Sequence, residues 1–344
     1  MRILFVFLMF FATTAHAQIG GNSAAAFLSI PVAARPAAMG GSAIGFKDTD
    51  VNLVYDNPAN LDTLLDNQLA LNYINFIGDI NAGNVYYARR MGNGALGVGL
   101  QFMSYGKFDH TEANGQVVGQ FTAGDYALNV GWGRSFDSIW SVGANVKMIY
   151  STYADYRQFG VGVDVGGSYW SRDRNFSAGI VMKDLGTMLT KNDAGNRENL
   201  PWNVSIGISE KIPKAPLRFF FQYHHLEKWD LGSNDPDYRG KEKIDPKTGE
   251  TSKRKFSTDN FFRHVVFGGE IIPHKNMYVT IAYNFRRHRE LSPTARSGLS
   301  GMSFGAGIKI KRLRFQYTLA SYHLGGNSHH IGVSTSLNEY LRKL

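Results

Sequence analysis

Hydrophobic and polar residues alternate one by one along Asp125–Tyr150, on either side of a short turn at Phe136–Ser138. The alternating apolar positions are Tyr126, Leu128, Val130, Trp132, Trp140, Val142, Ala144, Val146, Met148 and Tyr150. The positions between them are mostly small or polar and include Lys147. A period of two indicates β-strands, because successive side chains point to opposite faces of a strand. Long strands with aromatic residues at the ends of the apolar face are typical of the wall of an outer-membrane barrel.

The same alternation recurs from residue 68 almost to the C-terminus and predicts fourteen strands. An even number is what closure of a bacterial antiparallel barrel requires. The connections support this interpretation, because short and longer ones alternate along the chain. The short ones include Gly92–Gly94, Asp137–Ser138 and Pro273–Lys275, and the longer ones are Gly106–Gly119, Gly186–Leu200, Leu226–Asn260 and His288–Ser300. Short periplasmic turns and longer outer loops are expected of such a barrel, so we predict an all-β membrane protein, a 14-stranded antiparallel outer-membrane β-barrel.

Residues 1–17 have the features of a secretory signal peptide: Arg2, an apolar core at Ile3–Ala12, and a small-x-small site at Ala15–Ala17. After this segment no apolar run reaches the 18 or more residues that a membrane helix needs. We therefore divide the chain into a signal peptide (1–17), an N-terminal hatch or plug (18–66), the transmembrane barrel (67–338) and a periplasmic tail (339–344). The expected location is the outer membrane.

The segment before the barrel does not alternate. It is rich in small residues and contains Asp48 and Asp50, followed by Asn57-Pro58-Ala59, where proline indicates a turn. We expect it to fill the barrel lumen, and the alternative is a flexible periplasmic extension. Glycines on the predicted lumen faces, such as Gly97, Gly143, Gly207 and Gly305, favour a filled lumen because strand glycines often mark close approach of another backbone. They could also serve barrel curvature alone.

Composition narrows the candidate chemistry. The chain has no cysteine, which excludes disulfides and thiolate zinc sites. Its formal net charge of +9 comes from scattered residues, so we do not expect nucleic-acid binding. The motif Gly160-x-Gly162 lies within a strand and is not a phosphate loop. The pairs His224-His225 and His329-His330 would point to opposite faces and chelate poorly. We therefore predict no cofactor, no metal and no catalytic residue.

Two outer segments are candidate contact sites. The loop Leu226–Asn260 holds eight Lys/Arg and eight Asp/Glu, which suits a solvated or partner-binding loop. Its candidate partner residues are Lys241, Lys243, Lys253, Arg254 and Lys255. Arg286, Arg287 and Arg289 follow a strand where it should leave the outer leaflet, and arginine pairs well with lipopolysaccharide phosphates. The alternative for these arginines is an ordinary rim position.

A set of short motifs is spread over essentially the whole mature chain: Gly20–Ser23, Phe27-Leu28, Pro31, Ala34-Arg35, Ala38–Gly41, Asp48, Asp50, Asn57–Ala59, Leu71–Tyr73, Ser104–Gly106, Phe108, Asp125–Ala127, Ser141–Asn145, Lys147, Ile149–Ser151 and Trp229–Leu231. In these motifs the chain resembles the PorQ family. The segments Ile30–Ala33 and Phe76–Asn81 depart from the family pattern.

The resemblance implies a component of the type IX secretion system, similar in architecture to the fatty-acid transporter FadL. It implies a non-catalytic role in the attachment complex with PorU and PorV, where the barrel anchors a PorZ-like surface protein and cargo is joined to lipopolysaccharide. Outer-membrane lipid and lipopolysaccharide would be further contacts. Three alternatives stay open: a FadL-like transporter of hydrophobic molecules, a PorV-like cargo shuttle, and a barrel enzyme acting on lipid.

Overall fold

Each strand of the barrel pairs antiparallel with its neighbours, and the ring closes between the first strand and the last in the computed structural model. The structure describes residues 24–76, 80–154, 156–191, 195–231, 243–244, 251–252, 258–291, 299–323 and 326–341. Fourteen of the strands in this part form the closed barrel, which confirms the predicted fold class. The predicted signal peptide and the last three residues lie outside the described residues.

The strands follow the alternating segments of the sequence. Their bounds are β1 Gln68–Asn75, β2 Asn81–Met91, β3 Gly94–Thr111, β4 Val117–Phe136, β5 Trp140–Tyr153, β6 Tyr156–Trp170, β7 Phe176–Met188, β8 Asn203–Lys211, β9 Leu217–Tyr223, β10 Lys243–Ile244, β11 Thr251–Ser252, β12 Val265–His274, β13 Met277–Asn284, β14 Met302–Ile310, β15 Leu313–His323 and β16 Gly326–Ser336. Strands β10 and β11 pair only with each other, within the loop between β9 and β12.

The helices are short. They are α1 Ala34–Ala38, α2 Thr258–Arg263, α3 Phe285–Leu291 and α4 Asn338–Leu341, and four 3-10 turns lie before the barrel at Ala26–Ser29, Val51–Tyr55, Pro58–Asn60 and Thr63–Leu65. None of the described helices is long and apolar enough to cross a membrane.

The two faces of the wall differ as the sequence predicts. On β5, Val142, Val146 and Met148 are exposed on the outside, while Asn145 and Lys147 are buried inside. An apolar outer band of this kind is the lipid-facing surface of an outer-membrane barrel. Short turns, such as those between β2 and β3 and between β14 and β15, lie at the barrel end that carries α4 and the start of β1, which is therefore the periplasmic end.

Three elements differ from the sequence prediction. The loop predicted at Gly106–Gly119 is largely a hairpin, because β3 and β4 stay paired beyond the membrane and Phe108 stacks on Phe121 at 5.4 Å. The rim arginines lie in α3 rather than at a strand end, since the Asn284 side chain caps the helix by accepting the Arg287 N–H at 3.0 Å. The segment predicted as a tail begins with α4, because the Asn338 side chain donates to Asp66 at 2.9 Å and holds it against the barrel.

Candidate functional site

The N-terminal segment, which we define as residues 24–66, lies inside the barrel. Its backbone approaches the wall so closely that glycine is required there. A Cβ on Gly143 would lie 2.2 Å from the Pro58 carbonyl oxygen, and one on Gly179 would lie 2.1 Å from the Ile44 carbonyl oxygen. The predicted reason for lumen glycines, close approach of another backbone, is therefore correct at Gly143 and at Gly207, which meets Gly45. A hatch would control passage through the barrel, and this role of the segment stays a prediction.

Asn57, Pro58 and Ala59 form a tight turn against β5 and β6. The Asn57 side-chain oxygen accepts the Ala59 N–H at 3.0 Å, and its amide donates to the Gly167 carbonyl at 3.2 Å. Proline at the first position suits a helical turn because its fixed φ is already helical there. The motif thus has a positional role: it fixes the segment to the wall near the periplasmic half of the lumen.

Asp48 and Asp50 belong to a buried charge network centred on Arg35. One guanidinium nitrogen of Arg35 lies 2.7 Å from Asp48 and 3.3 Å from Asp50, and the other lies 3.3 Å from Glu270 on β12. Arg218 reaches Glu270 at 3.1 Å and Arg314 reaches Asp50 at 3.5 Å, so the network joins α1 to three strands of the wall. Burial opposes ionisation of Asp48, but Arg35, Arg218 and Arg314 outweigh it and hold the pKa of Asp48 below its usual value.

A second buried charge cluster consists of Lys147, Asp164 and Asp184, on three neighbouring strands. The Lys147 ammonium lies 2.9 Å from Asp164 and also contacts Asp184. Asp184 sits in a bulge of β7 with φ of 57° and donates its N–H to Asp164 at 2.8 Å. Sequence reasoning placed Lys147 on the lumen face but did not find its partners. Asp164 and Asp184 lie at inward positions of β6 and β7, and these positions could have identified them as partners of Lys147. The bulge in β7 shifts the alternation and makes this signal harder to read.

The outer half of the lumen is apolar. The inward side chains that contribute to it are Ile74, Ala82, Met103, Ala127, Ile149 and Met188, together with Leu200 from the following connection. The N-terminal segment fills this space with Ala24, Ala25, Phe27, Leu28 and Val32. We call this region the outer apolar compartment. The charge networks lie on its periplasmic side, together with a second apolar cluster that includes Leu61 and Leu65.

The outer rim is fixed by hydrogen bonds between the two ends of the connection from β9 to β12. The Asn260 side chain on α2 donates to the Trp229 carbonyl at 2.9 Å and accepts the Leu231 N–H at 3.1 Å. The His264 ring lies 2.6 Å from the His224 carbonyl oxygen and stacks on Tyr223. Trp229, Phe261 and Phe262 stay exposed on this surface, which we call the aromatic rim.

The predicted rim arginines have different surroundings. Arg286 pairs with Glu290 at 2.7 Å and contacts His225, and Arg289 pairs with Asp259 at 3.0 Å while remaining half exposed. Arg287 approaches Gly41 of the N-terminal segment, so it faces the lumen. The lipopolysaccharide contact of these three residues stays a prediction.

Only one of the five predicted partner residues lies within the described part of the chain. Lys243 begins the short strand β10, while Lys241, Lys253, Arg254 and Lys255 lie outside the described residues. Their role as a partner loop also stays a prediction.

Solved structures share this architecture at low sequence identity. TbuX, a toluene transporter of Ralstonia pickettii, is 12% identical, with 89% of this chain and 96% of that chain covered and a TM-score of 0.50. A deltaS2 mutant of TodX, a monoaromatic hydrocarbon channel, is 11% identical, with 89% and 97% covered and a TM-score of 0.52. A FadL homologue of Pseudomonas aeruginosa is 13% identical, with 92% and 99% covered and a TM-score of 0.47.

The chain is an outer-membrane β-barrel. It shares its architecture with the transporter TbuX and the channel TodX, which agrees with the predicted fold and location. No family model matches the chain, and no curated protein sequence matches it. The resemblance to the PorQ family therefore stays a prediction.

Proposed function

We propose that this barrel admits small hydrophobic molecules through the outer apolar compartment. The observation that carries the proposal is the apolar lining itself, which comes from several strands and surrounds Phe27 and Leu28. A lumen that only conducted ions or water would gain nothing from such a lining, whereas a hydrophobic ligand needs one. Phe27 and Leu28 fill the compartment in this conformation, and a ligand of similar size would take their place. The functions of TbuX and TodX, in toluene and monoaromatic hydrocarbon passage, are consistent with this proposal.

The buried charge networks limit which part of the N-terminal segment can move to make room for a ligand. Moving residues 35–62 would break the ion pairs of Arg35 with Glu270 at 3.3 Å and of Asp50 with Arg314 at 3.5 Å, which join the segment to the wall. The residues around Phe27 make mainly apolar contacts, which are replaced by a hydrophobic ligand without leaving charges unpaired. We therefore propose that residues 24–32 yield to the ligand while the rest of the segment stays in place.

Met103→Gln is expected to lower accumulation of radiolabelled toluene, by about tenfold, in cells that carry the barrel. The change keeps the volume of the side chain but places a polar amide in the compartment, which costs a buried hydrophobic ligand roughly 1–3 kcal/mol. Met39→Gln is the matched control, because Met39 is also buried but belongs to a different apolar cluster, beside Phe46 and Phe220. Equal accumulation by the two variants, or by cells with and without the barrel, would contradict the transport proposal.

A second candidate function is anchoring of a surface protein. The aromatic rim favours it, because exposed tryptophan and phenylalanine on a fixed backbone are typical of binding hot spots. Trp229 also belongs to the residues on which the PorQ resemblance depends. In this proposal the rim holds a PorZ-like protein within a complex that contains PorU and PorV, next to lipopolysaccharide. Arg289, with its half-exposed guanidinium, would be the first of the rim arginines to meet the lipid phosphates.

Trp229→Ala is expected to reduce recovery of such a surface protein, by about tenfold or more, when the tagged barrel is pulled down from outer-membrane extract. Trp140→Ala is the matched control, because Trp140 is also exposed but lies at the periplasmic end of β5. Unchanged recovery with Trp229→Ala would exclude the rim as the dock. Recovery of cargo with C-terminal signals instead would favour a PorV-like shuttle.

A further inference from the structure

The periplasmic end of the lumen contains a cavity of about 210 Å³ with an excess of positive charge. Five cationic side chains line it: Arg35, Lys211, Arg218, Lys275 and Arg314. Two carboxylates, Asp48 and Glu270, line it as well. Asp50 lies directly behind Arg35 and Arg314 and offsets one more charge. The surplus of about two positive charges is close to the charge of one dianion.

The cations do not all have partners within the protein. The three arginines pair with Asp48, Asp50 and Glu270. Among the described residues, neither Lys211 nor Lys275 has a carboxylate within 4.0 Å. These two lysines lie at the end of β8 and in the turn before β13, so they approach the cavity from different parts of the wall.

Two buried donors that line the cavity also lack a partner. The Arg35 Nε–H and the Tyr278 hydroxyl have no hydrogen-bond partner among the described residues, although each atom is shielded by protein. Arg35 is about 95% buried and its guanidinium stacks over the Tyr278 ring at 4.8 Å from the centroid. A buried donor without an acceptor costs free energy, so the pair is suited to an acceptor that enters the cavity.

We propose that this cavity binds a phosphate-class dianion from the periplasmic side. A tetrahedral oxyanion can accept hydrogen bonds from several walls at once, which a planar carboxylate does less well. Guanidinium groups and ammonium groups together provide the charge-assisted donors that phosphate prefers. The ligand would be free inorganic phosphate or the phosphomonoester headgroup of a phosphatidic acid, both of which carry close to two negative charges, and this inference does not depend on what passes through the outer compartment.

The test is calorimetric titration of the detergent-solubilised barrel with inorganic phosphate and, separately, with glycerol 3-phosphate, in a low-salt buffer. We expect saturable binding of at least one probe, weakened about tenfold or more in a Lys211→Gln, Lys275→Gln double variant. The two lysines carry no ion pair with the residues that the structure describes, so the double variant is expected to keep the wild-type unfolding midpoint. Stronger binding of inorganic phosphate would identify a free anion, and stronger binding of the ester would identify a lipid headgroup.

Lys214→Gln is the control, because Lys214 is an exposed lysine in the turn between β8 and β9, only three residues from Lys211. Lys214→Gln should change the affinity for the phosphate probes by no more than about twofold, because water and salt screen an exposed charge. Absence of saturable binding of both probes would overturn the proposal. Equal weakening by Lys214→Gln and by the double variant would also overturn it, since general surface charge would then explain the binding.

Discussion

Replacing Lys147 with methionine is expected to destabilise the folded barrel by about 3–5 kcal/mol. The substitution removes the only ammonium that contacts Asp164 and Asp184 among the described residues, and both carboxylates are about 99% buried. Two uncompensated carboxylates would then face each other inside the lumen, which is costly in a low-dielectric site. The measurement is urea unfolding of the barrel in lipid or detergent, followed by tryptophan fluorescence.

The control separates lost charge balance from lost packing. A triple variant, Lys147→Met with Asp164→Asn and Asp184→Asn, removes the charges together and should recover most of the lost free energy. Lys183→Met is a second comparison, because Lys183 is more exposed and has a single partner, Asp56, at 3.5 Å. A loss below about 1 kcal/mol for Lys147→Met would show that the cluster is hydrated like a surface pair.

Gly143→Ala is expected to displace the N-terminal segment from the wall. The new methyl group would overlap the Pro58 carbonyl and approach the Ala59 nitrogen within 2.8 Å, and these are backbone atoms that cannot rotate away. Overpacking of this kind costs typically about 1–3 kcal/mol, and here the cost falls on the Asn57–Ala59 turn. Lys47 is buried in the wild type, so trypsin cleavage after Lys47 reports displacement of the segment. We expect the variant to be cut at this site at least about tenfold faster.

Gly167→Ala is the matched control for this experiment. Gly167 lies on the adjacent strand β6, but a Cβ there would meet Ile180 at 3.6 Å and the Ser141 carbonyl oxygen at 3.9 Å, which are ordinary van der Waals contacts. The control barrel should therefore keep the trypsin resistance of the wild type. Equal trypsin resistance of Gly143→Ala would contradict the expected displacement. It would show that the segment shifts locally without leaving the wall.

The wall could be predicted from the sequence because each strand shows its environment locally. Alternation over eight or more residues, as in β5 and β6, reports lipid on one side and lumen on the other without knowledge of any neighbour. The alternation also located the lumen glycines, and their close contacts with the N-terminal segment followed from general properties of strand glycine.

The contacts inside the lumen could not be predicted in the same way. Arg35 meets Glu270 across a separation of 235 residues, and Asn52 meets Gln316 across 264. No local pattern encodes such pairs, which depend on the path that the N-terminal segment takes through the barrel. Helix α3 was missed for a different reason: the run at Arg286–Arg289 has no apolar period, and its helical form depends on the Asn284 cap and the Arg286–Glu290 pair.

The seam between β1 and β16 has a consequence for biogenesis. The seam consists of eight residue pairs, from Gln68 with Ser336 to Asn75 with His329, and it joins the first and last strands to be synthesised. The N-terminal segment leaves the translocon before any strand, whereas the ring can close only after β16 has arrived. Threading Arg35 and Lys47 into a finished ring would carry two charges past the narrow lumen. Assembly of the growing sheet around the segment avoids that barrier. We therefore expect the strands to assemble on the N-terminal segment in chain order.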